Sequence, residues 1–155
     1  MQEVVVISAR RTAVGRALKG TLRHTRPDDL GAAVVRQLMA EHPGLDPARI
    51  GDVIIGCAMP EAEQGMNVGR NIALMAGLPV TVPGMTINRF CSSGLETINY
   101  AALKIACGQA EAVIAGGVEF HERDARRFFD DHRPRVHDAV RGAGSVMWFV
   151  GVFVA

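Results

Sequence analysis

The chain has 155 residues, of which 48% are hydrophobic and 21% are charged, and its formal net charge at pH 7 is +1. This length and composition fit one globular domain with a sizeable core, and the near-neutral charge gives no reason to expect nucleic acid as a partner. No stretch reaches the roughly 18 apolar residues of a membrane-spanning helix, and we expect no secretory signal peptide.

The chain contains three cysteines, Cys57, Cys91 and Cys107. They are an odd number and form no C-x-x-C pair, which argues against a disulfide framework and against a zinc site. Free cysteines fit a reducing compartment, so we expect a cytoplasmic location and no bound metal.

The first predicted elements are a strand, a basic loop and a helix. Residues 4–7 form a continuous apolar run, typical of a strand that is buried on both faces. The loop over 8–26 is rich in arginine, and we interpret it as a solvated surface. A helix is predicted over 27–42, because acidic residues occupy its first turn and a Pro-Gly pair follows its last.

A second buried strand and an amphipathic helix come next. The strand is predicted over 52–57 and ends at Cys57, which we interpret as a core residue because no helix dipole would ionise it there. Residues 64–71 form a loop that leads into a helix ending near Gly77.

The stretch 83–108 contains the candidate site. A short strand is predicted over 85–87, and apolar residues at spacings of three and four over 95–106 predict a helix. Small residues occupy most of its other faces, so we expect it to be buried nearly all round. Cys91 would then lie between strand and helix, where free N–H groups and the helix dipole favour a thiolate and could hold an oxyanion.

Position alone does not decide the role of Cys91, because a single cysteine in an apolar chain is usually an inert core residue.

A fourth buried strand is predicted over 111–117, and Cys107 before it is also interpreted as core. The alternation of strands and helices predicts an α/β fold with a mostly parallel sheet and helices on both faces.

The motif Asn88-Arg89-Phe90-Cys91-Ser92-Ser93-Gly94-Leu95-Glu96 resembles the nucleophile motif of the thiolases. The segments 8–15, 64–71 and 116–119 also resemble thiolase sequences. The resemblance covers roughly residues 3 to 119 and implies a thiolase-like layered fold. It divides the chain into two parts. Residues 1–119 would be a partial thiolase N-terminal domain, which is an incomplete N-terminal half of the fold, and residues 120–155 would be a divergent tail.

The resemblance implies that Cys91 is the nucleophile of an acyl-CoA C-acyltransferase. Its sulfur would attack a 3-ketoacyl-CoA and hold the acyl group as a thioester until coenzyme A collects it, or catalyse the reverse condensation. Coenzyme A and acyl-CoA would be substrates, with no permanently bound cofactor. The amino-acid sequence around Cys91 resembles that of the degradative thiolases of fatty-acid β-oxidation more closely than that of the enzymes that form acetoacetyl-CoA.

The resemblance also implies an oligomer. In the family, the strand before the nucleophile pairs across a dimer axis, so 85–87 would be an interface strand in a homodimer or tetramer. Gln64, Asn67 and Arg70 would lie at the subunit interface, beside the active site of the partner.

Two features depart from the family. The Gly-His-Pro and Cys-x-Gly motifs, which supply its acid/base histidine and its second cysteine, do not occur in this sequence. The tail does not match either: it could be a metal site at His121, His132 and His137, an apolar anchor, or a segment foreign to the fold, and we favour the last. The alternatives to an active thiolase are therefore a truncated, non-catalytic remnant and another cysteine acyltransferase of the same fold.

Overall fold

The computed structural model describes residues 2–15 and 20–119 and the backbone of one further strand near the C-terminus. The strands in these ranges are β1 (Val5–Arg10), β2 (Ile50–Gly56), β3 (Gly84–Ile87), β4 (Ala112–Gly117) and β5 (Phe149–Val154). The α-helices are α1 (Pro27–Glu41), α2 (Val68–Met75) and α3 (Ser93–Ala106). All but β5 lie within a few residues of the predicted elements.

The five strands form one sheet in the order β1-β5-β4-β2-β3. β2 pairs in parallel with both β3 and β4, and Ile54 of β2 lies opposite Met85 on one side and Ala115 on the other. β5 runs antiparallel to its neighbours β1 and β4. The four strands that the sequence predicts therefore point in the same direction, which confirms the mostly parallel sheet.

β5 is the element that the sequence analysis did not predict. Its six residues, Phe149–Val154, belong to the segment that we interpreted as a tail foreign to the fold, yet they form an internal strand of the sheet. Residues 120–148, with His121, His132 and His137, lie outside the described residues. The domain division at residue 119 stays a prediction.

Helices cover both faces of the central strands, as predicted. Successive side chains of a strand point to opposite faces, so β2 contributes to two cores. Val53 and Ile55 pack in the core beneath α1 and α2. Ile54 packs on the other face, against Ala101 and Ile105 of α3. Strands buried on both faces explain the continuous apolar runs in the sequence.

Two predictions about burial were wrong. The side chains of Val5, Val6 and Ile7 are 45%, 55% and 40% exposed, because β1 lies at the edge of the sheet. α3 is buried on one face only, and its Leu95 and Leu103 are 62% and 59% exposed. The second apolar face of this helix is not covered by any element that the structure describes.

Candidate active site

Cys91 lies between the end of β3 at Ile87 and the start of α3 at Ser93, and its side chain is exposed. This is the position that the sequence predicts. The residue before it, Phe90, has a φ of 49°, in the left-handed region that residues other than glycine rarely adopt. Such a backbone outlier makes a sharp turn between a strand and a helix, which is the arrangement of a nucleophile elbow.

Two side chains hold this turn in place. The amide of Asn88 accepts a hydrogen bond from Phe90 N–H at 2.9 Å and donates one to the carbonyl oxygen of Ala58 at 3.0 Å. The hydroxyl of Ser93 accepts from Arg89 N–H at 2.9 Å and donates to the carbonyl oxygen of Phe90 at 2.6 Å. The strained residue is therefore hydrogen-bonded on both its N–H and its C=O.

The first turn of α3 packs directly on the carboxyl ends of β2 and β4. A Cβ atom on Gly56 would lie 2.5 Å from the carbonyl carbon of Ser93, so only glycine allows this approach. The hydroxyl of Thr97 lies 2.7 Å from the carbonyl oxygen of Gly94 and 3.0 Å from that of Gly116. These contacts place Cys91 near the carboxyl ends of the parallel strands, which is where parallel α/β folds bind their ligands.

The N-terminus of α3 has no side-chain cap. The N–H groups of Ser93 and Glu96 bind the carbonyl oxygens of Phe90 and Ser92. The N–H groups of Gly94 and Leu95 find no acceptor among the described residues. Such donors next to a nucleophile are suited to stabilising a developing oxyanion.

The other two cysteines differ from Cys91 and from each other. Cys57 is fully buried, and burial, reinforced by the nearby charge of Glu119, raises the pKa of its thiol to about 12. Its interpretation as a core residue is confirmed. Cys107 is exposed, so its interpretation as core was wrong. It follows Leu103 by four residues and therefore lies on the exposed side of α3.

Gln64 is fully buried in its own chain. Its side-chain amide donates to the carbonyl oxygen of Met59 at 2.7 Å and to the carboxylate of Glu119 at 2.9 Å. Glu119 also accepts from the N–H of Ala58 at 2.5 Å. Gln64 and Glu119 therefore fix the loop after β2 beneath the Cys91 turn.

Asn67 and Arg70 tie α2 to β3 and to the segment before it. Asn67 is the N-cap of α2 and also accepts a hydrogen bond from the hydroxyl of Thr86 at 3.0 Å. The guanidinium of Arg70 donates to the carbonyl oxygens of Val80, at 2.9 Å, and Val82. The predicted position of Gln64, Asn67 and Arg70 at a subunit interface stays a prediction, because these contacts lie within one chain.

The sequence indicates Asn88 as a turn residue before Cys91 and contains Ser93 and Glu119 within the motifs, but it predicts no hydrogen-bond partners for any of the three. Asn88 had a recognisable signal, because asparagine often binds the backbone N–H two residues later. The partners of Ser93 and Glu119 depend on how the chain packs. Over the described ranges, no group of three or more His, Cys, Asp or Glu side chains could hold a metal ion. In the same ranges no helix is long and apolar enough to cross a bilayer.

Comparison with known proteins places these features in a family context. Residues 4–132 match the family profile described as "Thiolase, N-terminal domain". The chain is 55% identical over 119 residues to the 3-ketoacyl-CoA thiolase of Bacillus subtilis, covering 77% of this chain and 30% of that protein. It is 41% identical over 146 residues to the 3-ketoacyl-CoA thiolase of Saccharophagus degradans, covering 94% of this chain and 37% of that protein.

A solved structure agrees with the sequence matches. The crystal structure of the Bacillus anthracis acetyl-CoA acetyltransferase superposes with a TM-score of 0.69 and 38% sequence identity, covering 76% of this chain and 29% of that one. The chain thus spans about a third of the length of the curated relatives that it matches.

Proposed function

We propose that this chain, which belongs to the thiolase family, carries the nucleophile of an acyl-CoA C-acyltransferase, and that Cys91 is this nucleophile. The observation that carries the proposal is the exposed thiol of Cys91 in a sharp, hydrogen-bonded turn at the start of α3. Its relatives are called 3-ketoacyl-CoA thiolase, and its structural neighbour is called an acetyl-CoA acetyltransferase, which supports thioester chemistry on coenzyme A.

The proposed reaction has two steps. The Cys91 thiolate attacks the keto carbon of a 3-ketoacyl-CoA, and the bond between C2 and C3 breaks with its electron pair on C2. Protonation of this enolate gives acetyl-CoA and leaves the acyl group on sulfur as a thioester. The thiol of coenzyme A, after losing its proton, then attacks the thioester carbonyl and releases the shortened acyl-CoA with the Cys91 thiolate restored. Covalent catalysis thus divides one difficult step into two easier ones.

The chain's own groups support the first step. The turn presents the sulfur of Cys91 to solvent, and the N–H groups of Gly94 and Leu95 are donors for the oxygen that becomes negative during attack. The substrates that fit this proposal are acyl-CoA esters of fatty-acid β-oxidation, with coenzyme A as second substrate and no permanently bound cofactor. The proposal includes a cytoplasmic homo-oligomer with Gln64, Asn67 and Arg70 near its interface.

A second candidate is a non-catalytic member of the family. The observation that favours it is that the chain spans only about a third of the length of its curated relatives, so this segment by itself contains only part of what they contain. Such a chain could keep the fold and an exposed thiol without completing a turnover.

Intact-mass spectrometry of the purified chain after incubation with acetoacetyl-CoA distinguishes the two candidates. The acyltransferase predicts one acetyl adduct, mapped to Cys91, and acetyl-CoA in solution. Cys91→Ser should form no adduct, whereas Cys107→Ser, which removes the other exposed thiol, should behave as the wild type. A wild-type chain that acquires no acetyl group and releases no acetyl-CoA would leave the non-catalytic candidate.

A further inference from the structure

We propose that Asn88 is a positioning residue for Cys91, and that Glu119 supports it from the end of β4. The proposal rests on the assignment of Cys91 as the acyl-accepting nucleophile and adds two residues to that site. Asn88 precedes Cys91 by three residues, and both polar atoms of its side-chain amide are used. Among the residues that the structure describes, the partners of the amide are the Phe90 N–H in the strained turn and the Ala58 carbonyl in the loop after β2.

The first link joins Asn88 to the turn. Its Oδ1 accepts from Phe90 N–H at 2.9 Å, and Phe90 is the residue with the left-handed φ of 49°. A side chain that binds the backbone two residues later stabilises this kind of local turn. Phe90 is bonded directly to Cys91, so the direction in which the sulfur projects depends on this dihedral angle.

The second link joins Asn88 to the loop after β2. Its Nδ2 donates to the carbonyl oxygen of Ala58 at 3.0 Å. The N–H of Ala58 in turn donates to a carboxylate oxygen of Glu119 at 2.5 Å, and the other carboxylate oxygen accepts from Gln64 at 2.9 Å. A path of hydrogen bonds therefore runs from Glu119, just after β4, through the backbone N–H and C=O of Ala58 after β2, to Asn88 and the residue before the nucleophile.

The path fixes Cys91 relative to the sheet and not only relative to α3. The 2.6 Å hydrogen bond from Ser93 holds the Phe90 carbonyl to the helix, whereas Asn88 holds the Phe90 N–H to the strand ends. Acyl transfer requires a sulfur within attacking distance of a bound carbonyl carbon, and a displacement of about 1 Å costs on the order of 10²-fold in rate. Removing one of these two hydrogen bonds should therefore slow acylation of Cys91 while the thiol itself stays accessible.

The test compares Asn88→Ala and Asn88→Asp with Asn99→Ala, a control at an exposed asparagine on α3. Asn88→Ala removes both links, whereas Asn88→Asp keeps the acceptor for Phe90 N–H and loses the donor to Ala58. We expect acetylation of Cys91 by acetoacetyl-CoA to fall about 10- to 100-fold in Asn88→Ala. The loss should be smaller in Asn88→Asp, and Asn99→Ala should match the wild type.

The three cysteines separate positioning from loss of structure. Iodoacetamide reacts with a thiol without first being held in a fixed position beside it. Its rate with Cys91 should therefore change less than about threefold in Asn88→Ala, and its rate with Cys107 should not change. Cys57 is fully buried and should stay unlabelled unless the chain opens. Labelling of Cys57 in parallel with the loss of acetylation would show a merely structural role and overturn the proposal.

Glu119→Gln tests the second link, because its amide keeps an oxygen but loses the charge that holds Ala58 N–H. We expect an acetylation rate between those of the wild type and Asn88→Ala. Acetylation within twofold of the wild type in both Asn88→Ala and Glu119→Gln would overturn the proposal.

Hydrogen exchange at Phe90 keeps the positioning role testable if the proposed function fails. A wild-type chain that forms no thioester would overturn the assignment of Cys91. The role of Asn88 would then be decided by the Phe90 amide, which should exchange slowly in the wild type and in Asn88→Asp and faster in Asn88→Ala. Equal exchange in all three chains would overturn the positioning role as well.

Discussion

At the scale of residues, the three thiols of this chain occupy three distinct environments. Cys91 stands in the turn before α3, Cys107 is the exposed C-cap of the same helix, and Cys57 is buried at the end of β2. A thiol must lose its proton and meet solvent before it reacts, so burial and exposure divide these residues into accessible and inaccessible groups.

Thiol labelling should follow this division. We expect iodoacetamide to modify Cys91 and Cys107 in the folded chain and to leave Cys57 unmodified, because its pKa is raised to about 12. Peptide mapping after brief labelling measures the three sites separately, and labelling in urea provides the control in which all three react. Modification of Cys57 in the folded chain at the rate of Cys107 would contradict its burial.

Cys57 should also make stability depend on pH in alkaline solution. The unfolded thiol ionises near pH 9.0, whereas the folded one stays protonated up to about pH 12. Because its folded pKa is raised, the contribution of Cys57 is complete below pH 9 and is lost progressively as the pH rises toward 12.

Urea unfolding at about pH 8 and about pH 10.5 measures this loss. Between the two pH values, the free energy of unfolding should fall less in Cys57→Ala than in the wild type. The cavity left by the substitution lowers the stability of the variant at both pH values. Cys107→Ala is the control. Because this variant keeps Cys57, its free energy of unfolding should still fall between the two pH values by the amount that Cys57 contributes in the wild type. An equal pH dependence in the wild type and Cys57→Ala would contradict this prediction.

At the scale of elements, the start of α3 is fixed by close backbone contact with the sheet. Gly56 at the end of β2 touches Ser93 and Gly94, and Thr97 lies at hydrogen-bond distance from the carbonyl oxygen of Gly116 in β4. At the other end of the helix, Lys104 forms a 2.6 Å ion pair with the buried Asp52 of β2. Both ends of α3 are therefore anchored on the same strand.

Gly56→Ala should displace the nucleophile turn. Its Cβ would lie 2.5 Å from the carbonyl carbon of Ser93 and 2.7 Å from the nitrogen of Gly94, and backbone atoms cannot move aside cheaply. We expect a loss of about 1–3 kcal/mol in the free energy of unfolding, measured by urea denaturation, and slower acetylation of Cys91.

Gly44→Ala is the matched control for Gly56→Ala. A Cβ atom on Gly44 meets nothing within 4 Å, so this substitution should leave acetylation of Cys91 unchanged and should not lower stability. Wild-type stability in Gly56→Ala would show that α3 does not pack on β2 as closely as the structure indicates.

At the scale of the whole molecule, apolar surface remains open on two sides. The side chains of Leu95 and Leu103 on α3 are more than half exposed, as is Val6 on β1. β3 is an edge strand of the sheet. Exposed apolar faces and strand edges promote association, so we expect this chain to aggregate or to be poorly soluble when it is expressed alone.

Substitution of the exposed face of α3 should reduce this association. We expect Leu95→Gln combined with Leu103→Gln to shift the chain toward monomer in sedimentation velocity, because less apolar surface remains exposed. Leu74→Gln, at an exposed leucine of α2, is the control and should have a smaller effect. A wild-type chain that is monomeric and melts sharply would contradict the prediction.

The sequence by itself determined the local elements and the place of the nucleophile. Continuous apolar runs mark β2 and β4, the spacing of apolar residues marks α3, and Cys91 lies in the turn that these elements leave between β3 and α3. These features depend on periodicity and turn residues over a few positions, so a linear sequence contains them.

The tertiary structure alone decided which faces are covered and which distant groups meet. β1 and the outer face of α3 have apolar sequences but remain exposed, and β5 enters the sheet between β1 and β4 without a pattern that predicted it. The path from Glu119 through Ala58 to Asn88 joins residues up to 61 positions apart. Burial and long-range hydrogen bonds depend on what packs beside a segment, and no local pattern encodes that neighbour.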